Sequence, residues 1–419
     1  LVSSLSVITT TPIHFIGDTL YRLFLIGDCM RKHYLLAAGI LAVALYLTYL
    51  VSFQDDGQTL SFCLLLGLAL GFVLQRSRFC FLCHSRDWMQ HGDARGLLAI
   101  VLAIAVGSII YPIILGSWLP VPERLPPDMH IGPVSWALLL AGLAFGTGMV
   151  ISGSCISAHL YRLSEGSAAS PFALIGTVIG FWLGFQSWNT LYSATIASAP
   201  VIWLPQHLGY AGALALQLFL LGLIAYALWR KPLLSTSEQK TSPESFSRAI
   251  ARSFEGRWPY WTGGIAVGII AAVIIIRTRP LGVTSALGST TRQLAEHAGI
   301  MPLRLDGLDS LGGCATIIRD TLLTPNAILV MALVAGAFIA ALPGGHFKFR
   351  MPTWKDAVKG LSGGVFLGWG SMIGLGCTVG NLLSGIMAGA VSGWVFGIGI
   401  FVALWFGFKV EARLTRKRS

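Results

Sequence analysis

Two stretches of this sequence join cysteine to glycine in a way that bears on chemistry: Val150-Ile-Ser-Gly153-Ser154-Cys155-Ile-Ser-Ala158 and Met372-Ile-Gly374-Leu-Gly376-Cys377-Thr-Val-Gly380. Each interrupts an apolar run that is too long and too broken for one clean helix, so two half-helices meeting at the cysteine are expected. Backbone bared at membrane depth is tolerated only where it is buried in protein or lines a cavity. The N-terminus of each following half-helix offers free N–H groups and a positive dipole end, which suits an anion. A thiol there adds a weak S–H donor and a soft acceptor. Gly153, Ser154, Cys155, Gly376 and Cys377 therefore read as the lining of a small-anion path. The competing reading is helix packing, because Gly142/Gly146 and Gly364/Gly368 are GxxxG pairs that let helices touch whatever the substrate. His159 and Asn381 each follow their cysteine by four residues, one turn on along the same face. Contact with substrate and satisfaction of buried backbone are both open for these two.

A third cysteine motif, Gln75-Arg76-Ser77-Arg78-Phe79-Cys80, sits at the end of an apolar run, where arginines also serve simply to anchor a helix end. Its continuation, Cys80-Phe81-Leu82-Cys83-His84, matches the pattern of c-type haem attachment. Haem is attached in an outer compartment on an exposed segment, whereas this segment is hydrophobic and falls on the expected inner face. Zinc lacks a second ligand pair at metal spacing. No cofactor and no metal are expected. Cys29, Cys63 and Cys314 carry no motif and read as small hydrophobes. Arg162 and Glu165 read as a helix-end ion pair. No Walker motif, no GxGxxG after a strand and no nucleophile elbow is present, which argues against ATP-driven transport by this chain alone.

The elements that position these residues follow from composition. Of 419 residues 54% are apolar and only 11% charged, against about a quarter charged in a soluble domain. Runs approaching twenty apolar residues, such as Leu97 to Leu115 and Leu208 to Leu228, exclude the alternating pattern of a membrane barrel. The expected fold is an all-α polytopic membrane protein. Its roughly ten transmembrane helices begin near Tyr34, Leu60, Leu97, Val134, Pro171, Leu208, Tyr260, Ala327, Leu361 and Ser392. The net charge of +11 resides in short loops beside these runs, the mark of membrane topology rather than of nucleic acid, so the lipid bilayer is the partner it implies. Loops holding Arg76 to Arg95, Arg230 to Arg257, Lys348 to Lys359 and Lys409 to Arg418 are assigned to the cytoplasm, which places both termini inside.

The chain also repeats itself. With an offset of 222, Gly142, Gly146, Gly148 and Cys155 fall on Gly364, Gly368, Gly370 and Cys377; with an offset of 197, Gly67 and Gly71 fall on Gly264 and Gly268. The charge pattern gives the two copies opposite orientation, a transporter design with the path at their interface. The expected division is a disordered or upstream-translated tail at 1–29 and an extra N-terminal transmembrane helix at 30–56. A first repeat at 57–230, a mobile cytoplasmic linker at 231–258, a second repeat at 259–408 and a basic tail at 409–419 complete it.

The run Gly71-Phe-Val-Leu-Gln75-Arg76-Ser-Arg78-Phe79-Cys80 with Arg86-Asp87 resembles the opening motif of the YeeE/YedE family of bacterial membrane proteins, whose YeeE members are thiosulfate transporters. Gly153-Ser154-Cys155 with Tyr161-Arg162 and Glu165-Gly166, and Gly376-Cys377-Thr-Val-Gly380-Asn381, resemble it too. The resemblance covers roughly residues 60 to 408. It implies two pseudo-symmetric halves in an hourglass, re-entrant half-helices carrying cysteines, and a central thiosulfate route through Cys80, Cys155 and Cys377, with Arg76 and Arg78 in the first motif. The sequence departs from the family where Ser154 replaces a glycine, Leu375 interrupts a glycine pair, Cys83-His84 replaces small non-thiol residues, and a helix precedes residue 60. The expected protein is a bacterial inner-membrane importer of thiosulfate or a related sulfur anion for sulfur assimilation, with a cytoplasmic sulfur-carrier or rhodanese-type protein as partner. The alternatives are a membrane thiol enzyme relaying electrons or sulfane sulfur, and a transporter of another sulfur or selenium compound. The transport chemistry requires neutral thiols, since a thiolate would repel a dianion, and expects no cation beside them.

Overall fold

Each of the ten apolar runs forms a helix in the computed structural model, which describes residues 13–54, 56–126, 129–230, 256–278, 280–311 and 324–416. The helices are α1 (Ile13–Val51), α2 (Gly57–Ser77), α3 (Phe81–His91), α4 (Arg95–Trp118), α5 (Trp136–Ser152), α6 (Ile156–Leu163) and α7 (Ser170–Leu191). They continue as α8 (Leu204–Trp229), α9 (Tyr260–Val273), α10 (Thr284–His297), α11 (Pro325–Ala341), α12 (Trp354–Ile373) and α13 (Val391–Arg416), with a π-type helix at Thr378–Gly385 after α12. Among the described residues, β-structure is confined to two isolated bridges, Pro133 with Val201 and Trp203 with Ala390. Six segments are long and apolar enough to cross a bilayer, and α12 with Thr378–Gly385, bent by 41°, makes a seventh. Helices α9 and α11 are apolar but shorter. The chain is an all-α polytopic membrane protein.

Local signals start the helices that matter. Ser135 caps α5 by accepting from the Leu138 N–H at 3.2 Å, and Thr324 caps α11 through Ala327 at 3.1 Å. Helix α12 opens on a reciprocal capping box between Thr353 and Asp356. Four times the chain then follows one plan, a middle helix no longer than the two that flank it: α2-α3-α4, α5-α6-α7, α9-α10-α11 and α12-(Thr378–Gly385)-α13. Between lipid-embedded helices apolar burial gives little drive, so close backbone approach decides the packing. A Cβ on Gly71 would meet the Leu333 carbonyl of α11, and one on the aligned Gly268 would meet the Ala103 carbonyl of α4. Gly148 faces the backbone of α12 and its counterpart Gly370 faces that of α5. The aligned glycines thus make equivalent contacts, and helices of each half pack against the other half.

Several boundaries differ from expectation. The part of the expected tail from 13 to 29 is helical, because nothing from Ile13 to Asp28 breaks a helix and α1 runs through without interruption; residues 1–12 lie outside the described residues. Likewise α13 continues through the expected basic tail to Arg416, with the Lys409 ammonium 3.4 Å from the centre of the Trp405 ring. Of the linker, residues 231–255 lie outside the described residues, as does Cys314. Its last residues are tied to the end of α2: Trp258 N–H donates to the Arg76 carbonyl at 3.1 Å and Arg257 Nη1 to the Gln75 carbonyl at 2.7 Å.

Candidate functional site

The four short helices all open at buried residues. Cys80, Cys155 and Cys377 are the residues that open α3, α6 and Thr378–Gly385, and each is almost fully buried, at 1%, 3% and 1% exposure. The sulfurs stand where a capping oxygen would, next to the N–H of Cys83, of Ala158, and of Val379 and Gly380 respectively. A thiol is a weak acceptor, so these N–H groups are readily given over to the oxygens of an anion. Folding that reaches this geometry needs sharp turns at the ends of the preceding long helices. Gly153 ends α5 at φ 84°, Leu375 occupies the aligned position at φ 56°, and Arg78 ends α2 at φ 51°. The substituted glycine position is therefore filled by leucine without loss of the turn.

The structure brings Cys80 and Cys155 together. The hydroxyl of Ser154, the residue before Cys155, lies 3.6 Å from the Cys80 sulfur, and the Ser157 hydroxyl lies 3.3 Å from the Cys155 sulfur. Cys377 is placed apart from this pair, beside Thr284 at the start of α10. The expectation of no cation beside the thiols is corrected: Arg162 donates through Nη2 to the Cys83 sulfur at 3.1 Å and through Nη1 to the Gly153 carbonyl at 3.1 Å. The expected Arg162–Glu165 pair is replaced by Glu165 with Arg257 at 3.3 Å, because α6 points Arg162 back toward the thiols.

Other expected path residues take structural bonds. Asn381 donates to the Gly374 carbonyl at 2.7 Å and closes the end of α12, with Gly376 packed against its backbone. His159 bonds Ser170 and Ser152 through its two ring nitrogens, each at 3.1 Å, bracing α6 against α5 and α7. Arg76 is buried over Phe72 and donates to the Gly256 carbonyl at 3.2 Å, whereas the Arg78 side chain is exposed. His84 is wedged edge-on against Tyr260 and fills the space over Gly96, so the CxxCH match belongs to helix packing.

At the Lys/Arg-rich end, His346 lies among Arg257, Arg76, Arg78 and Lys348, and burial first and these cations second push it down to about 4. An unfolded chain takes up this proton near the ordinary value of 6.5, while the folded form refuses it until about 4. Stability is therefore full above the ordinary value and drains away as pH falls through that window. The thermal midpoint of the purified protein is expected to fall across it, and His346→Gln to flatten that fall; an identical acid profile in the variant would refute this. At the far end, a cavity of about 700 Å³ is lined by Arg124, Arg277, Asp56, Ser285 and Ser289, among others, leaving its charged groups net positive.

The family model described as sulphur transport matches residues 76–406, which takes in Cys80, Cys155 and Cys377 and all four short helices entire. The chain belongs to the sulphur-transport family. It is 25% identical over 357 residues to the thiosulfate transporter TsuA of Spirochaeta thermophila, covering 82% of this chain and 96% of that protein. It is likewise 25% identical over 375 residues to TsuA of Escherichia coli, covering 84% and 96%. The probable transporter YedE of Escherichia coli is 27% identical over 188 residues, 44% of this chain and 45% of its own length. Within this sulphur-transport fold, α10 escaped the sequence reading. Its counterpart α3 starts at Phe81, but the connection before Thr284 is longer, so the offset of 197 at the glycines becomes 203 here.

Proposed function

We propose that the protein imports thiosulfate, or a closely related sulfur anion, along a path through Cys377, Cys155 and Cys80, and acts as a transporter rather than an enzyme. The observation that carries this is the meeting of Cys80 and Cys155 at the buried starts of two short helices, in a chain of the sulphur-transport family. The similarity to proteins named as thiosulfate transporters over more than four-fifths of the chain supports the substrate. Loop charge supports an inner-membrane orientation with both termini in the cytoplasm and the Lys/Arg-rich end inside.

In this orientation the far cavity faces outward, and Arg124 and Arg277 raise the local concentration of a dianion. At Cys377 the anion meets a soft thiol for its sulfur and free N–H groups for its oxygens. At the inner pair it meets Cys155, Cys80 and the Ser154 hydroxyl, with Arg162 beyond drawing the charge on. Each contact is weak, which lets the ion leave as readily as it arrives. A cytoplasmic sulfur-carrier or rhodanese-type protein at the inner mouth would receive it. Uptake of labelled thiosulfate into proteoliposomes is the test. Accumulation of intact thiosulfate is expected, whereas release of sulfite with a persulfide left on the protein would instead establish a sulfur-relay enzyme.

A further inference from the structure

The fourth short helix, α10, starts at a residue that is not cysteine. Thr284 is 0% exposed and its hydroxyl lies beside the Cys377 thiol without an aligned hydrogen bond to any described group. Several helical hydroxyls of this protein turn back onto their own helix, Thr291 to Leu287, Thr177 to Ala173 and Ser289 to Ala286, whereas Thr284, like Ser85, Ser108 and Ser371, does not. A buried hydroxyl left unpaired is costly, by about 1–3 kcal/mol, and the fold offers that routine remedy elsewhere. The neighbouring Ser285 and Ser289 line the far cavity, so an ion entering there comes within one residue of the Thr284 hydroxyl.

We propose that Thr284 is a fourth station of the path, a hydroxyl donor that takes an oxygen of the anion while Cys377 faces its sulfur. This rests on the import reading. In the fourfold plan α10 stands to Thr378–Gly385 as α3 stands to α6, and Thr284 opens the first turn of α10 beside Cys377, so one station pairs two thiols and the other pairs a thiol with a hydroxyl. The mixed pair matches the unlike ends of a sulfur oxyanion that carries one terminal sulfur, and it sits where selection at entry is made. A symmetric oxyanion leaves the thiol side without its soft partner.

Labelled thiosulfate uptake by Thr284→Val and Thr284→Ser in proteoliposomes tests this. Valine keeps the shape and removes the donor, so KM should rise about tenfold, the worth of one hydrogen bond, with kcat less affected; serine should restore it. Wild-type KM in Thr284→Val would overturn the proposal. In parallel, Thr284→Cys is exposed on whole cells to a membrane-impermeant anionic thiosulfonate, and labelling is read residue by residue by mass spectrometry. Labelling at 284, slowed by thiosulfate, is expected, and this arm decides should the valine variant fail to accumulate. If wild type carries no thiosulfate yet 284 is labelled, the substrate reading fails and the station stands. No labelling at 284 removes the station whichever anion is carried.

Discussion

Cys155→Ala and Cys377→Ala are each expected to lower thiosulfate uptake by at least about tenfold, equivalent to about 1.4 kcal/mol on the barrier, and to abolish thiosulfate-dependent growth at normal protein levels. Alanine fits both positions, since each thiol projects from the start of a short helix and no backbone bond runs through it. What disappears is the one soft group beside the free N–H ends, leaving the sulfur end of the anion against bare backbone. Cys63 supplies the control. It is equally buried, but within α2, and lies at no helix start. Cys63→Ala should therefore transport near wild-type rates. Equal losses from Cys63 and the path cysteines would remove the assignment of the path.

The largest effect on folding is expected at Gly368. A Cβ there would fall on the Thr177 carbonyl and crowd Phe181 N and Gly180 Cα, so the obstruction is backbone on all sides. Overpacking a core costs about 1–3 kcal/mol when side chains can yield. Here α7 and α12 would have to separate, and α12 carries the turn into Cys377. Gly368→Leu should leave little folded protein in the membrane, measured by monodisperse recovery in detergent. Gly222→Leu, where the added atom meets nothing within 4 Å, should be recovered normally. Normal recovery of both would show that the α7–α12 approach is not what holds the two halves together.

Much of the architecture was legible before any coordinates, because a bilayer imposes simple local demands. Length, apolarity and loop charge identified ten helices, and the glycine-cysteine breaks at Cys155 and Cys377 pointed to two short helices beside a competing helix-packing reading. Glycine spacing also revealed the repeat, since a position that must admit a neighbouring backbone accepts almost nothing else. Pairing was another matter. That Cys80 meets Cys155, that Arg162 turns to Cys83 and not to Glu165, and that Asn381 and His159 spend their polar atoms on bracing depend on how α6 and Thr378–Gly385 are aimed. That aim is set by helices distant in sequence, and no local pattern encodes it. Thr284 was hidden for a related reason: it lacks the thiol that marks its three counterparts, and a longer connection shifts it out of the register that aligned the glycines. Composition and spacing determined that the chain crosses a membrane as two related halves with thiols at the breaks. Only the packing of one half against the other decided which of those groups face one another, because contact between residues far apart in the chain is a property of the assembled helices.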